Sequence, residues 1–308
     1  MIKTRLGKTD LQVTSIGLGG AEIGYLRPER AHASRVLNSL LDEGVNVIDT
    51  AANYSASEEI IGESVGHRRE QFVLISKCGS VLPDGTGKPW TEEVVAKTID
   101  RSLKRLRTDV IDVMLLHTCD EETLRKGEAL AAMVKAREAG KIRFVGYSGD
   151  NEAAAYAATF SDIAVIETSI NIADHTNVDL LLPITRDQDI GVVAKRAMAN
   201  AAWKQTREQP RLYRSYAATY HDRLIAMKLS PADMGISGPP EAAWPELAVR
   251  FTLSHPGVST AIIGTLNPEN ALRNIRYAEK GKLPNDVVER ICAAFTAAQG
   301  ADKWTGQT

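Results

Sequence analysis

The chain has 308 residues, a formal net charge of −2 and 44% apolar residues, which excludes a disordered polymer and leaves length for two domains or one large α/β barrel. Its charges are balanced without a basic block, so no nucleic-acid partner is expected; no apolar run approaches the roughly 18 residues of a membrane span and no targeting segment is evident, so the expectation is a cytoplasmic protein with no membrane partner. The three cysteines, Cys78, Cys119 and Cys292, are too few and too scattered for a disulfide framework.

The chain opens with a predicted hairpin, Thr4-Arg5-Leu6 and Leu11-Gln12-Val13 around the turn Gly7-Lys8-Thr9-Asp10. Residues 15–20 read as a strand running into a glycine-rich turn. Apolar residues at 36, 37, 40 and 41, with Gly44 beyond them, predict an amphipathic helix over 34–43. Val45-Asn46-Val47-Ile48-Asp49 is a strand of branched apolar residues with a carboxylate where the apolar run stops, and Tyr54 stands on the following loop. A strand is predicted over 71–77, then a helix over 92–107 whose Val95, Ile99, Leu103 and Leu106 share one stripe. The strand 110–116 ends at His117, a helix over 124–139 is stopped by Gly140, and the strand 143–147 ends at Ser148. Further strands are predicted over 164–167, 190–195 and 260–264.

Alternating strands and helices require a parallel sheet with right-handed crossovers. Eight such strands after the hairpin, with no shift of composition, predict a closed (β/α)8 TIM barrel forming a single domain over 1–308. An open doubly wound sheet is the alternative, but no Gly-x-Gly-x-x-Gly follows the first strand, where Gly17-Leu18-Gly19-Gly20 is too short for that fingerprint. The one long interruption, 196–240 after the seventh strand, is expected to be a functional loop carrying short helices.

Asp49, Lys77, His117, Ser148, Glu167, Lys195 and Gly264 all close strands on the same rim, where parallel barrels hold their ligands. Singly, each has a structural explanation: an aspartate caps, a rim lysine is solvated, a histidine is satisfied in the core. Their joint placement points to chemistry. A carboxylate, an ammonium, a phenol and an imidazole together suit proton donation to a carbonyl during hydride transfer. A phenol of pKa ~10 is a poor acid at neutral pH unless a cation draws its pKa down, and Lys77 would be that cation. Asp49 would keep Lys77 charged, and His117 would donate to the substrate oxygen. A zinc site of His117 with Cys78 and Cys119 is opposed by the cysteine spacing and by the lack of a second strand-end histidine, so no metal is expected.

The run Asn46-Val47-Ile48-Asp49-Thr50-Ala51-Ala52-Asn53-Tyr54 with Ser57-Glu58, then Ile75-Ser76-Lys77, then Asp109-Val110-Ile111-Asp112-Val113-Met114-Leu115-Leu116-His117, resembles the aldo-keto reductase family in order and spacing. Gly146-Tyr147-Ser148 and Ala261-Ile262-Ile263-Gly264-Thr265 are similar to two further family blocks, and the resemblance runs from the hairpin to about Pro284. It implies the barrel, a nicotinamide cofactor along the C-terminal rim, a small-molecule carbonyl substrate, and a tetrad of Tyr54 as general acid, Lys77 and Asp49 as its tuning pair and His117 as the carbonyl orienter. A non-enzymatic alternative is a nicotinamide-nucleotide sensor or regulatory subunit, as family members that accompany membrane channels suggest.

Cofactor contacts are expected at Gly20 and Ala21, at Ser148, Glu167, Lys195 and Arg196, and at Gly264, Thr265, Asn270, Arg273 and Asn274. Departures from the family pattern fall among these. Gly149 follows Ser148 in place of the usual Asn, and Glu167 replaces the usual Gln, so it accepts from a carboxamide NH₂ but cannot donate to the carbonyl. Val193-Ala194-Lys195-Arg196-Ala197 lacks the aromatic that commonly stacks on nicotinamide, unless the Arg196 guanidinium plane substitutes. The Lys and Arg that commonly hold an adenosine 2′-phosphate correspond to Gly264 and Asn270. What remains is a helix beginning at Asn267-Pro268, whose free N–H groups favour an anion, with the Thr265 hydroxyl and Arg273 beside it. NADP(H) is therefore expected over NAD(H). Substrate specificity is expected from the rim loops 22–28, 81–90 and 196–240, with Tyr25, Trp90 and Trp203 as pocket walls.

Overall fold

The strands of this protein divide into a short antiparallel pair and a closed parallel barrel. In the computed structural model, which describes residues 1, 3–81, 85–204, 207, 213–301 and 303–307, the pair is β1 (Lys3–Arg5) and β2 (Gln12–Thr14). The barrel comprises β3 (Ile16–Gly19), β4 (Val47–Asp49), β5 (Val73–Cys78), β6 (Ile111–His117), β7 (Ile142–Ser148), β8 (Ile163–Ser169), β9 (Gly191–Lys195) and β10 (Val258–Ile263). Neighbours in sequence are neighbours in space, and β10 closes the ring on β3. The helices before the seventh barrel strand are α1 (Ala21–Tyr25), α2 (Arg30–Asp42), α3 (Ser57–Val65), α4 (Glu92–Leu106), α5 (Glu121–Lys126), α6 (Glu128–Glu138), α7 (Asn151–Ala157), α8 (Thr176–Leu180) and α9 (Leu182–Asp187). After it come α10 (Arg214–Met227), α11 (Pro240–Ser254), α12 (Pro268–Glu279) and α13 (Asn285–Gln299). Among the described residues no helix is long and apolar enough to cross a membrane.

The two-residue period of a strand explains both layers of the core. Val47, Val73, Ile75, Val113, Leu115, Val165, Val193 and Ile262 point inward and form one cluster, closed below by Leu6, Leu11 and Val13 of the hairpin. Ile48, Leu74, Met114, Leu116, Val145, Ile166, Val192 and Ile263 point outward against the helices. Continuing the inward parity to the C-terminal rim gives Asp49, Lys77, His117, Ser148, Glu167 and Lys195. The same alternation that fills the barrel thus aims six polar side chains at one opening.

The hairpin stopper depends on a left-handed glycine. Gly7 has φ +54° and lies so close to the backbone of Ile190 and Gly191 that a Cβ would overlap both, while Lys8 N donates to Asp189 O at 2.5 Å. Gly7→Ala is expected to destabilise the fold by about 1–3 kcal/mol, read as a lower midpoint of urea unfolding. An unchanged midpoint would show that the hairpin does not seal the barrel.

Two predicted helices differ from expectation. The helix expected over 124–139 is broken into α5 and α6 at Gly127, whose φ of +73° caps the first and begins the second, and Gly140 ends the pair. The apolar period continues across the break, so the pattern alone does not reveal it. The expected short helices of 196–240 include α10, which is 14 residues long. Its Tyr220, Leu224 and Met227 join Leu247, Phe251, Val287, Ile291 and Phe295 of α11 and α13 in a separate apolar cluster above the barrel wall. Residues 82–84, 205–206 and 208–212 of the expected specificity loops lie outside the described residues.

Candidate active site

The loop between β4 and α3 carries Tyr54 and is fixed from several sides. Tyr54 N donates to Ala51 O at 3.0 Å and its carbonyl accepts from Ser57 N at 2.9 Å, while Ser55 takes φ +47°. From α4, Arg101 and Arg105 donate to Ala52 O at 2.8 and 3.2 Å, and Gly24 of α1 packs against the Tyr54 carbonyl where no Cβ would fit. Arg105 also faces the buried Glu58 at 3.4 Å, and Glu58 accepts from Ser76 Oγ at 2.8 Å. The contacts of Gly24, Ser76, Arg101 and Arg105 are not readable from the sequence, because they join residues some 18 to 53 apart.

Beside Tyr54 lies the buried ammonium of Lys77, fully shielded from solvent. It donates to Asp49 Oδ1 and to Thr50 O (2.9 Å), and Glu167 Oε2 stands 3.0 Å away. Glu167 Oε1 accepts from Ser148 Oγ at 3.2 Å, whereas Oε2 accepts no well-aligned hydrogen bond within the protein. Lys77 Nζ is 5.4 Å from the centroid of the Tyr54 ring, which packs against His117 edge-on at 5.8 Å and against Tyr25 at 5.6 Å. The predicted tetrad is therefore brought together.

The electrostatics differ from expectation in sign. Burial pushes the Tyr54 phenol above its ordinary range; Lys77 draws it down, but Asp49, Glu167 and Tyr25 add to the rise. The net shift is upward, so Lys77 moderates a penalty that burial sets. Burial would neutralise Lys77, yet Asp49 and Glu167 outweigh it and hold the ammonium charged. Asp49 is raised, first by burial and then by Glu167, while in Glu167 the opposing effect of burial is overcome by Lys77 and Lys195, which hold it low. His117 is lowered to about 3 by burial and then by Lys77, so it is a neutral imidazole at ordinary pH.

Asp49, Tyr54, His117, Ser148 and Glu167 form the floor of a cavity of about 1430 Å³, with Lys77 buried beneath them. Its wall includes the expected Ala21, Ser148, Glu167, Lys195, Arg196, Gly264, Thr265, Asn270, Arg273 and Asn274. Gly20 is not part of the wall; its N–H donates to Asp49 O at 2.7 Å and its carbonyl accepts from Ser57 Oγ, so it braces the floor from behind. Lys195 pairs at 3.0 Å with Asp150, a buried carboxylate that also accepts from Ser169 N and Thr168 Oγ1. Arg196 does not lie free as a stacking plane: it donates to Ser169 Oγ at 3.2 Å and to Gln307 O, and sits 4.2 Å from the centroid of Tyr216. Tyr25 and Trp203 line the cavity as expected, the latter stacked on Trp244. Trp90 does not; it packs over Gly79 behind β5. The expected loops 22–28 and 196–240 also bring Glu22, Tyr213 and Tyr216 into the wall, residues the sequence reading did not single out, and burial pushes Glu22 up to about 7.

At the far end of the cavity Arg273 donates to Asn270 Oδ1, and both face the opening. The start of α12 is not a set of free donors, since Asn267 Oδ1 accepts from Glu269 N at 2.9 Å and Asn270 N at 3.3 Å. The side-chain cap occupies the amides that an anion would use.

A family model, Aldo/keto reductase family, matches residues 15–295. The chain belongs to the aldo/keto reductases. It is 25% identical to an uncharacterized oxidoreductase of Bacillus subtilis over 94% of this chain and 95% of that one. It is 29% identical to an NADH-specific methylglyoxal reductase of Escherichia coli, over 62% of this chain and 66% of that protein. In fold it is similar to an aldo-keto reductase of Bacillus halodurans in its holo form, with a TM-score of 0.79, 24% identity and 96% of each chain covered. Oxidoreduction with nicotinamide nucleotides, and carbonyl reduction in particular, is the general activity of this aldo/keto reductase's family.

Proposed function

We propose that this aldo/keto reductase, acting as one barrel unit, reduces an aldehyde or ketone to an alcohol, or the reverse, with NADP(H). The observation that carries the reading is the meeting of Tyr54 and the neutral His117 imidazole on one cavity floor, with the Lys77 ammonium buried beside Tyr54. Tyr54 is the general acid, His117 donates to the carbonyl oxygen and orients it, and Asp49 holds Lys77 in place. The cavity exceeds the usual ~300–1,000 Å³ of a small-molecule pocket, leaving room for a nucleotide and a substrate together. The residues suit such a nucleotide: the Ser148 hydroxyl and the Glu167 carboxylate offer polar atoms to a carboxamide, and Thr265, Asn270 and Arg273 face its other end. A bound nicotinamide supplies or accepts the hydride. The protein's part is to orient the carbonyl, exclude water and hold the proton on Tyr54.

The test is a panel of aldehydes, ketones and sugars, followed by the absorbance of the reduced nucleotide. Turnover of none of them, with nucleotide still bound, would replace this reading by that of a nucleotide-binding sensor or regulatory subunit. The nucleotide choice has its own prediction. With the α12 amides capped, Arg273 is the group left for an adenosine 2′-phosphate, through a charge-assisted contact worth ~1.5–3 kcal/mol. NADP(H) is expected to bind roughly ten- to a hundredfold more tightly than NAD(H), and Arg273→Ala to remove the difference. Equal dissociation constants in the unmodified protein, or a preference untouched by the substitution, would defeat this assignment.

A further inference from the structure

A fully buried ammonium needs one counter-charge, and Lys77 has two. Asp49 from β4 and Glu167 from β8 approach it from opposite sides of the barrel mouth, and their side chains are each 2% exposed. In the alkaline range where a phenol titrates, two ionised carboxylates face one ammonium on a floor where the local dielectric is low. The next titratable group on that floor is Tyr54, which borders Lys77 directly. The other charged or titratable groups facing this cluster offset the second negative charge only in part: His117 from β6 is neutral, Tyr25 from α1 and Tyr213 before α10 are phenols, and Lys195 from β9, which also acts on Glu167, has Asp150 as its own partner.

We propose that Glu167 is a second counter-ion of Lys77, a positioning residue that weakens the pull of the ammonium on Tyr54 and so sets the pH at which the phenol ionises. The proposal rests on the role assigned to Tyr54 above. It differs from a role for Glu167 in gripping the nucleotide, because it acts on a proton whether or not nucleotide is bound. The Coulomb effect of a neighbouring carboxylate, at the effective dielectric of such sites, amounts to about one to two pH units on a phenol. Glu167 is also held low by Lys77 and contributes to the rise at Tyr54, which agrees in direction.

The experiment compares the whole chain with Glu167→Gln, an isosteric change that removes only the charge. Ultraviolet difference titration, with Tyr54→Phe as the blank, reads phenol ionisation without nucleotide or turnover. The alkaline limb of carbonyl reduction and the dissociation constant for NADP(H) are measured beside it. In Glu167→Gln the phenol is expected to ionise at lower pH, and the alkaline limb to move down by about one to two units. Should Glu167→Gln fail to fold, Glu167→Asp, which draws the charge back from Lys77, is expected to lower the same midpoint by a smaller step. An unchanged or higher midpoint and limb overturns the proposal, including the case in which only the nucleotide affinity changes. Loss of turnover in the unmodified protein would defeat the functional reading instead, and the titration would still decide this one.

Discussion

Tyr54→Phe is expected to lower carbonyl reduction by about 10²–10⁴-fold while leaving the fold and nucleotide affinity nearly unchanged. The substitution removes one hydroxyl and keeps the ring, so the edge contact with His117 at 5.8 Å and the tilted contact with Tyr25 at 5.6 Å persist. The loop is held through backbone atoms of Ala51, Ala52 and Tyr54, none of which the change touches. What is lost is the only phenol bordering the Lys77 ammonium among the described residues. Because burial raises this phenol, the site works from a protonated donor, and Phe cannot replace it. Retention of more than about a tenth of the activity would mean that another group, or water, delivers the proton.

The barrel and its rim were legible because they rest on the two-residue period of a strand. Val47 and Asp49, Ile75 and Lys77, Leu115 and His117 share a face by parity alone, so the polar member of each pair follows the apolar one into the interior. Tyr54 was legible for a different reason, its short distance in sequence from Asp49. Glu22, Tyr213 and Tyr216 were not, since loops and short helices carry no such period and their placement depends on which strand end they cross. Asp150 continues the parity of Ser148 beyond the end of β7, and that signal was available. The break at Gly127 hid inside an uninterrupted helical pattern, and only the left-handed backbone reveals it.

Signs of charge were readable as well, but their balance was not. The sequence places Lys77 near Tyr54 and so suggests a phenol drawn downward; the cost of burial, which depends on the closed barrel around it, reverses the net direction. The same holds for Arg196, whose guanidinium is engaged by Ser169 and Gln307 from distant parts of the chain. Likewise the start of α12 reads in sequence as free amides for an anion, but the Asn267 side chain occupies those of Glu269 and Asn270.

Lys77→Met should cost at least as much activity as Tyr54→Phe and, unlike it, should also destabilise the protein in a pH-dependent way. Methionine fills the buried volume but leaves Asp49 and Glu167 facing each other without the ammonium between them, and breaking a buried pair in this manner costs about 3–5 kcal/mol. Tyr54 loses the one neighbour that draws its phenol down, so proton delivery weakens further. With Lys77 gone, burial and mutual repulsion raise both carboxylates above their values in the unfolded chain, so the folded state binds more protons at neutral pH than the unfolded state. Stability of the variant must then fall as pH rises from the unfolded carboxylate range through the raised folded values. In the unmodified protein Glu167 is held low, and its contribution has the opposite slope, present above the unfolded value and lost as pH falls. The stability gap between the two proteins should therefore be wider near pH 8 than near pH 5 in urea unfolding experiments, which sample either side of the expected carboxylate titration. A gap that is constant across that window, or an active Lys77→Met with the unmodified protein's pH profile, would show that the ammonium neither balances this pair nor tunes the phenol.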